Sequence, residues 1–476
     1  MQSVLHYFYM AMKKEKIVAG NPLVYVTRDI ERALGQKPTG SYFILANRTP
    51  YTESVRAKHP DNIFLIENKN KNGDVSDGLL DTFDVLKAGE KIIEKIAAKN
   101  SSGEKNVVDI LVFKNTSRIE EFCAQKKWHL LNPPAALAEK IENKITQEKT
   151  VGKAAAHFPP HFTAKVSDIL LKNSDVSAPF MLQWAHAHTG EGTIFISADK
   201  NGEKILAALH EKFPNREARV TNYVNGPIFT ANVCVMPAGA SAGKNGILIG
   251  NISTQITGML PFTDNPWTTV GNDWSLPHGI LDENRLARFN EIACEVGEEL
   301  QKKGWRGLFG IDCIYDIERD NLHLIEVNAR QPASTTYESQ LQENIRELAP
   351  DHFKNCATIF EAHIAALRDE KNTEKIDTKT SDKSAGLIEI NDGAQIILRI
   401  PAIAELRKTN EEIAEISAKL RAQKYNVIEY PNTKPGSDLL RIQSDRGIME
   451  SQNKFNARGK EILEIVTGVE EKHDIM

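Results

Sequence analysis

Gly307-Leu-Phe-Gly-Ile-Asp312-Cys-Ile-Tyr-Asp-Ile317 and Asn321-Leu-His-Leu-Ile-Glu326-Val-Asn328-Ala-Arg330 are two apolar runs joined by a polar turn through Glu318, Arg319 and Asp320. The pattern reads as a β-hairpin. With the turn centred on Arg319, Asp312 lies opposite Glu326 and Gly310 opposite Asn328. Side chains alternate along a strand, so Glu326, Asn328 and Arg330 share a face with Asp312. The other face carries Ile311, Cys313, Ile325 and Val327. Carboxylates directly opposite one another repel. A divalent cation relieves that repulsion, and Mg²⁺ binds through one or two carboxylates together with substrate phosphates. The Arg330 fork suits a phosphate or carboxylate, and Gly310 leaves space beside Asn328. Pattern alone leaves a solvated outer sheet face equally open.

The run Ile325-Glu326-Val327-Asn328-Ala329-Arg330, with Asp312 about a dozen residues before it, resembles the metal-binding strands of the ATP-grasp superfamily. The resemblance spans roughly Asn132–Tyr337, and the region before it resembles the α/β domain that precedes the grasp. It implies ATP and Mg²⁺, or Mn²⁺, as cofactors, with Asp312, Glu326 and Asn328 as metal ligands. It also implies a nucleotide site. Lys144 matches the family's first ATP-contacting lysine. Pro179–Trp184 and Thr193–Ile196 read as strands flanking a loop with Gly190 and Gly192. Glycine lets backbone N–H groups approach phosphates closely, although by itself the loop reads rather as a plain hairpin turn. The resemblance makes it a lid. The family commonly carries a second lysine where this chain has Gln183; His188 or Lys153 are candidates to compensate. Tyr223 and Val224 resemble the hinge whose backbone pairs with adenine, but the acidic residue usual at the hinge is absent from Thr221 and Asn222. Gly239–Asn245 has one residue too few for a P-loop and lies between strand-like runs, so it reads as a loop.

What the resemblance implies is an acid–amine ligase. ATP phosphorylates a small-molecule carboxylate, and an amine attacks the acyl phosphate to form an amide or peptide bond. Arg330 is the catalytic residue, stabilising the acyl phosphate or tetrahedral intermediate. The irregular stretch Thr257–Trp274, with His278, Gln331, Ser334 and Thr335, is the expected surroundings of the second substrate. Carboxylation of the biotin-carboxylase kind is an alternative, although no Ala-Met-Lys-Met attachment motif is present. A non-catalytic ATP-binding regulatory protein is a third.

The remaining sequence places this hairpin within a multidomain α/β and α+β chain of 476 residues. Leu23–Val26, Tyr42–Ala46, Ile63–Ile66 and Val107–Phe113 are apolar runs of the kind buried in an open parallel sheet. Leu79–Ala98 and Arg118–Lys127 read as helices beside them. Residues 1–132 thus form an N-terminal domain. Residues 133–367 form the ATP-grasp core with antiparallel sheets, the lid covering about 157–224. Residues 368–384 form a charged linker, and 385–476 a small C-terminal α/β domain. A net charge of −5 gives no broad basic surface for nucleic acid. Five cysteines, none in a CxxC pair, suit free thiols in a reducing compartment. No run of ~20 apolar residues spans a membrane, and Lys13, Lys14 and Lys16 follow the apolar start rather than precede it, unlike a secretory signal. The expectation is a cytoplasmic enzyme, with a homodimer as the commonest assembly.

Overall fold

The computed structural model describes residues 21–69, 78–100, 107–186, 192–237, 243, 245–369 and 386–469. The chain divides into two units, Met1–Asn132 and Pro133–Met476. In the first, apolar runs form five parallel strands: β1 (Leu23–Val26), β2 (Tyr42–Asn47), β3 (Ile63–Ile66), β4 (Asp109–Leu111) and β5 (His129–Leu130). Their order is β3-β2-β1-β4-β5. β1 and β2 are buried at every residue, as strands covered on both faces must be. The expected helix over Leu79–Ala98 is two helices, Thr82–Ala88 and Glu90–Asn100, broken at Gly89.

The second unit holds two antiparallel sheets. The smaller contains β6 (His161–Lys165), β7 (Phe180–Trp184), β8 (Thr193–Ile196) and β9 (Glu217–Asn222) in the order β6-β9-β7-β8. Helix Lys200–Lys212 packs on it through Leu206 and Leu209. The larger sheet begins with β10 (Ile228–Val235), β11 (Ile247–Ile249), β12 (Ser253–Thr257), β13 (Thr269–Asp273), β14 (Gly307–Asp316) and β15 (Asn321–Asn328). β13 lies inside the Thr257–Trp274 stretch expected to be irregular.

One face of this sheet is apolar. Phe229, Ala231, Val233, Ile311, Cys313, Leu322, Leu324 and Val327 form the core with helix Glu283–Lys302. That helix starts where the Asp282 carboxylate accepts the Arg285 N–H at 2.9 Å. It buries Phe289, Ile292, Ala293, Val296 and Leu300, the spacing of one helical face.

After a short pair, β16 (Cys356–Ala357) and β17 (Gly386–Leu387), the C-terminal segment adds β18 (Ala394–Arg399), β19 (Asn426–Glu429) and β20 (Asp438–Ser444). Sequence sets 385–476 apart as a small domain; in the structure its strands extend the larger sheet. Gly271 pairs with Ile396, Asn272 with Gln395 and Asp273 with Ala394. β18 thereby satisfies the open edge that β13 would otherwise present. Residues 370–385, most of the charged linker, lie outside the described residues.

Candidate active site

The hairpin β14–β15 has the expected register where it matters. Gly310 pairs with Asn328, Ile311 with Val327 and Asp312 with Glu326. Nearer the turn the register is shifted by one: Cys313 pairs with Leu324 and Asp316 with Asn321. The turn is therefore tighter than one centred on Arg319. A β-bulge at Ile325 absorbs the difference and returns Glu326 to its place opposite Asp312. The bulge also corrects the assignment of faces. Leu322, Leu324 and Val327 are buried in the core, whereas Ile325 is half-buried beside Glu326 and off the core face.

The polar face is continuous with β10, where Thr230 pairs with Asp312 and Asn232 with Gly310. The Thr230 hydroxyl hydrogen-bonds to Asp312, and Asn328 Nδ2 donates to Asp312 Oδ2 at 3.3 Å. A Cβ on Gly310 would lie 3.3 Å from Asn328 Cβ and 3.0 Å from Pro332 Cγ, so glycine keeps the space there. Burial, and then the negative charge of Glu326, push the Asp312 carboxyl up from its ordinary range. Burial also opposes ionisation of Glu326, but the Lys144 ammonium, with Arg330 and Arg219, outweighs it and holds Glu326 low. The pair thus holds its charge chiefly on Glu326.

Lys144 is the cation that meets Glu326. It lies just past helix Ala135–Glu142, after the C-cap Asn143. It is only 4% exposed, and its N–H donates to Ala185 O at 3.0 Å. Arg330 is held by Glu142, from the last turn of the same helix. Helix 135–142 therefore presents both an acid and, just beyond its end, a lysine to β15. Gln147, fully buried, ties the elements together by donating to Ile141 O at 3.0 Å and Val327 O at 3.1 Å.

Gln183, on β7, lies directly across from Arg219 on β9. Its Oε1 accepts from Arg219 Nη2 at 2.7 Å and Nε at 3.2 Å. Arg219 was not singled out by sequence, where it reads as one more residue of a strand. Lys153 is half-exposed and pairs with Glu295 and Glu298, each at 3.4 Å; it is occupied away from the hairpin. His188 and Gly190 lie outside the described residues, while Gly192 is buried at the entry to β8. In the segment expected as the hinge, the Tyr223 N–H donates to Pro179 O at 3.2 Å. The Tyr223 ring packs on Phe195 (5.0 Å between centroids) and Trp267 (6.4 Å). Trp267, from the stretch expected around the second substrate, also packs on Phe195, 5.5 Å between centroids.

Beyond β15, helix Thr335–Leu348 brings Glu338 against the same sheet face. Glu338 is fully buried and accepts from Asn232 Nδ2 and from Asn251 N (2.7 Å) and Nδ2 (3.2 Å). Asn232 Oδ1 accepts from Ser334 Oγ at 3.3 Å and Thr335 Oγ1 at 2.9 Å. This network fixes the segment immediately after Arg330. Asp273, by contrast, accepts from Ser275, Leu276, Ile448 and Met449, and its role is to join β13 to the C-terminal segment.

Among the described residues no three His, Cys, Asp or Glu side chains gather as a metal cage. No helix there is long and apolar enough to cross a membrane, and all five cysteines are free and buried.

The architecture has solved counterparts. N5-carboxyaminoimidazole synthetase from Staphylococcus aureus, complexed with ADP, is similar over 94% of this chain and 97% of its own, with TM-score 0.54 and 11% identity. Phosphoribosylamine–glycine ligase from Thermotoga maritima covers 93% and 96%, with TM-score 0.51 and 13% identity. The biotin carboxylase–βγ-ATP complex from Campylobacter jejuni covers 89% and 87%, with TM-score 0.53 and 13% identity. The sequence matches no family model and no curated protein. At such identities the likeness is one of fold. Two antiparallel sheets, the carboxylate hairpin between β14 and β15 and these neighbours together give the chain the ATP-grasp fold.

Proposed function

We propose that the protein is an ATP-dependent acid–amine ligase. The supporting observation is the register of β14 with β15, which sets Asp312 opposite Glu326 with Asn328, Lys144 and Arg330 around them. Two carboxylates and an amide oxygen are too few for a self-sufficient cage. They suit Mg²⁺ that keeps its remaining positions for phosphate and water. Bound by Asp312, Glu326 and Asn328, the ion would neutralise phosphate charge during phosphoryl transfer.

The chain's own groups have distinct tasks. Lys144, which pairs with Glu326, would bind a phosphate oxygen of the nucleotide. The Val224 amide at the hinge is left for the base, while the Gly192 end of the β7–β8 loop covers the phosphate chain. Arg330, aimed by Glu142, receives the acceptor. A carboxylate oxygen attacks the γ-phosphorus and ADP leaves. The amine nitrogen then attacks the acyl carbon, phosphate departs, and the amine gives up a proton. Gln331, next to Arg330, would face the acceptor, while Ser334 and Thr335 hold Asn232.

The test is ADP and phosphate release from pools of small carboxylates and amines. Release that needs both pools and a divalent cation supports the ligase. Release that depends on bicarbonate instead of an amine points to carboxylation. Tight nucleotide binding without turnover on any pool contradicts catalysis.

A further inference from the structure

Arg219 makes no direct ion pair among the described residues; the acid that acts on it, Glu326, does so without touching it. Arg219 is 4% exposed, and among the described residues every polar partner it has is neutral. These are Gln183 Oε1, the Ile325 carbonyl at 3.0 Å and Gln147 Oε1 at 3.5 Å. Its guanidinium also lies 5.2 Å from the centre of the Phe158 ring. Burial lowers its pKa to about 10, with the charge of Glu326 working the other way. Burying a charge costs several kcal/mol unless an opposite charge compensates. Hydrogen bonds to neutral acceptors recover part of that cost but do not cancel the charge. Among the described residues no carboxylate touches the guanidinium, which leaves its donors open to the oxygens of an anionic ligand.

Its position says which anion. The carbonyl that Arg219 holds belongs to Ile325 on the edge strand β15, one residue from Glu326. Lys144 meets Glu326 as well. Arg219 therefore lies beside the Glu326–Lys144 pair, the part of the site that the reading above assigns to the phosphates. It is also directly across the strand pair from Gln183, the position where a lid lysine is expected and missing. We propose that Arg219 supplies the missing cation from the neighbouring strand and binds the phosphate chain of the nucleotide, with Gln183 as the acceptor that aims it. This rests on the nucleotide-site reading above. A guanidinium also differs from an ammonium in presenting two parallel donors to a phosphate.

The experiment is calorimetric titration of the full chain with MgADP and with adenosine, alongside thermal melting without nucleotide. Gln183→Glu gives Arg219 an internal counterion at nearly constant shape. It is expected to raise the melting temperature and to weaken MgADP roughly tenfold to a hundredfold, the span of a charged hydrogen bond, while adenosine affinity stays the same. Arg219→Gln should weaken MgADP to the same extent, and adding Gln183→Lys to it should recover binding. Wild-type protein that binds MgADP while both single variants bind it within twofold of wild type overturns the role of Arg219 alone. Wild-type protein that binds no MgADP overturns the nucleotide site itself. If Arg219→Gln does not fold, the Gln183→Glu result decides.

Discussion

Glu326 carries more of the site than any other residue, because it faces Asp312 across the hairpin and pairs with Lys144. Glu326→Gln keeps the shape and removes the charge. Turnover should fall on the order of 10²–10³-fold, while melting and far-ultraviolet dichroism stay near wild type. Retained ADP release with unchanged Mg²⁺ dependence would remove Glu326 from the metal site. Glu338 offers a second test. Burial raises its pKa to about 7, so the fold favours the protonated form. The stabilisation is fully present below the ordinary pKa of 4.5 and is lost as pH rises through about 7. Melting curves should show wild type losing stability over that window relative to Glu338→Gln. Parallel pH profiles would contradict the assignment. Asp312, Glu326 and Asn328 were legible in sequence because alternation and spacing reveal a face. Arg219 and Glu338 were not. A buried ionisable group is recognisable only from what surrounds it, and their partners lie on other elements.

At the level of elements, the hairpin was legible but its bulge was not. Assigning Ile325 to the core followed from strict alternation, which one extra residue breaks. The hinge depends on a contact of similar kind. A Cβ on Gly226 would lie 1.8 Å from the Tyr315 carbonyl oxygen, a backbone atom of β14 that cannot swing aside. Gly226→Ala should therefore cost about 1–3 kcal/mol, the usual penalty for overpacking, read as a lower urea midpoint. An unchanged midpoint would mean that the hinge and β14 yield freely. The helices, with their caps and apolar faces, were mostly visible. The break at Gly89 was not, since its apolar pattern continues across it.

For the whole molecule, sequence placed strands in the last ~90 residues without revealing their partners. Strand pairing across more than a hundred residues leaves no local trace. The pairing matters energetically. β18 covers the edge of β13, and Ile396, Leu398 and Ile442 share a core with Ile256, Phe262 and Val270. Uncovering the last three side chains costs roughly 5–9 kcal/mol at about 1.5–3 kcal/mol each, comparable to the stability of an entire domain. A chain ending at Asp369 should lose cooperative melting. Cooperative melting with MgADP binding retained would show that residues 386–469 are dispensable to the fold.

The central claim is that a carboxylate takes the γ-phosphoryl group at the Asp312–Glu326 hairpin before an amine displaces it. Oxygen-18 in the carboxylate substrate tests it most directly, by mass spectrometry of the phosphate released in unlabelled water. Acyl-phosphate chemistry predicts one labelled oxygen in each phosphate formed with the amide product. Amide formation with unlabelled phosphate would contradict it.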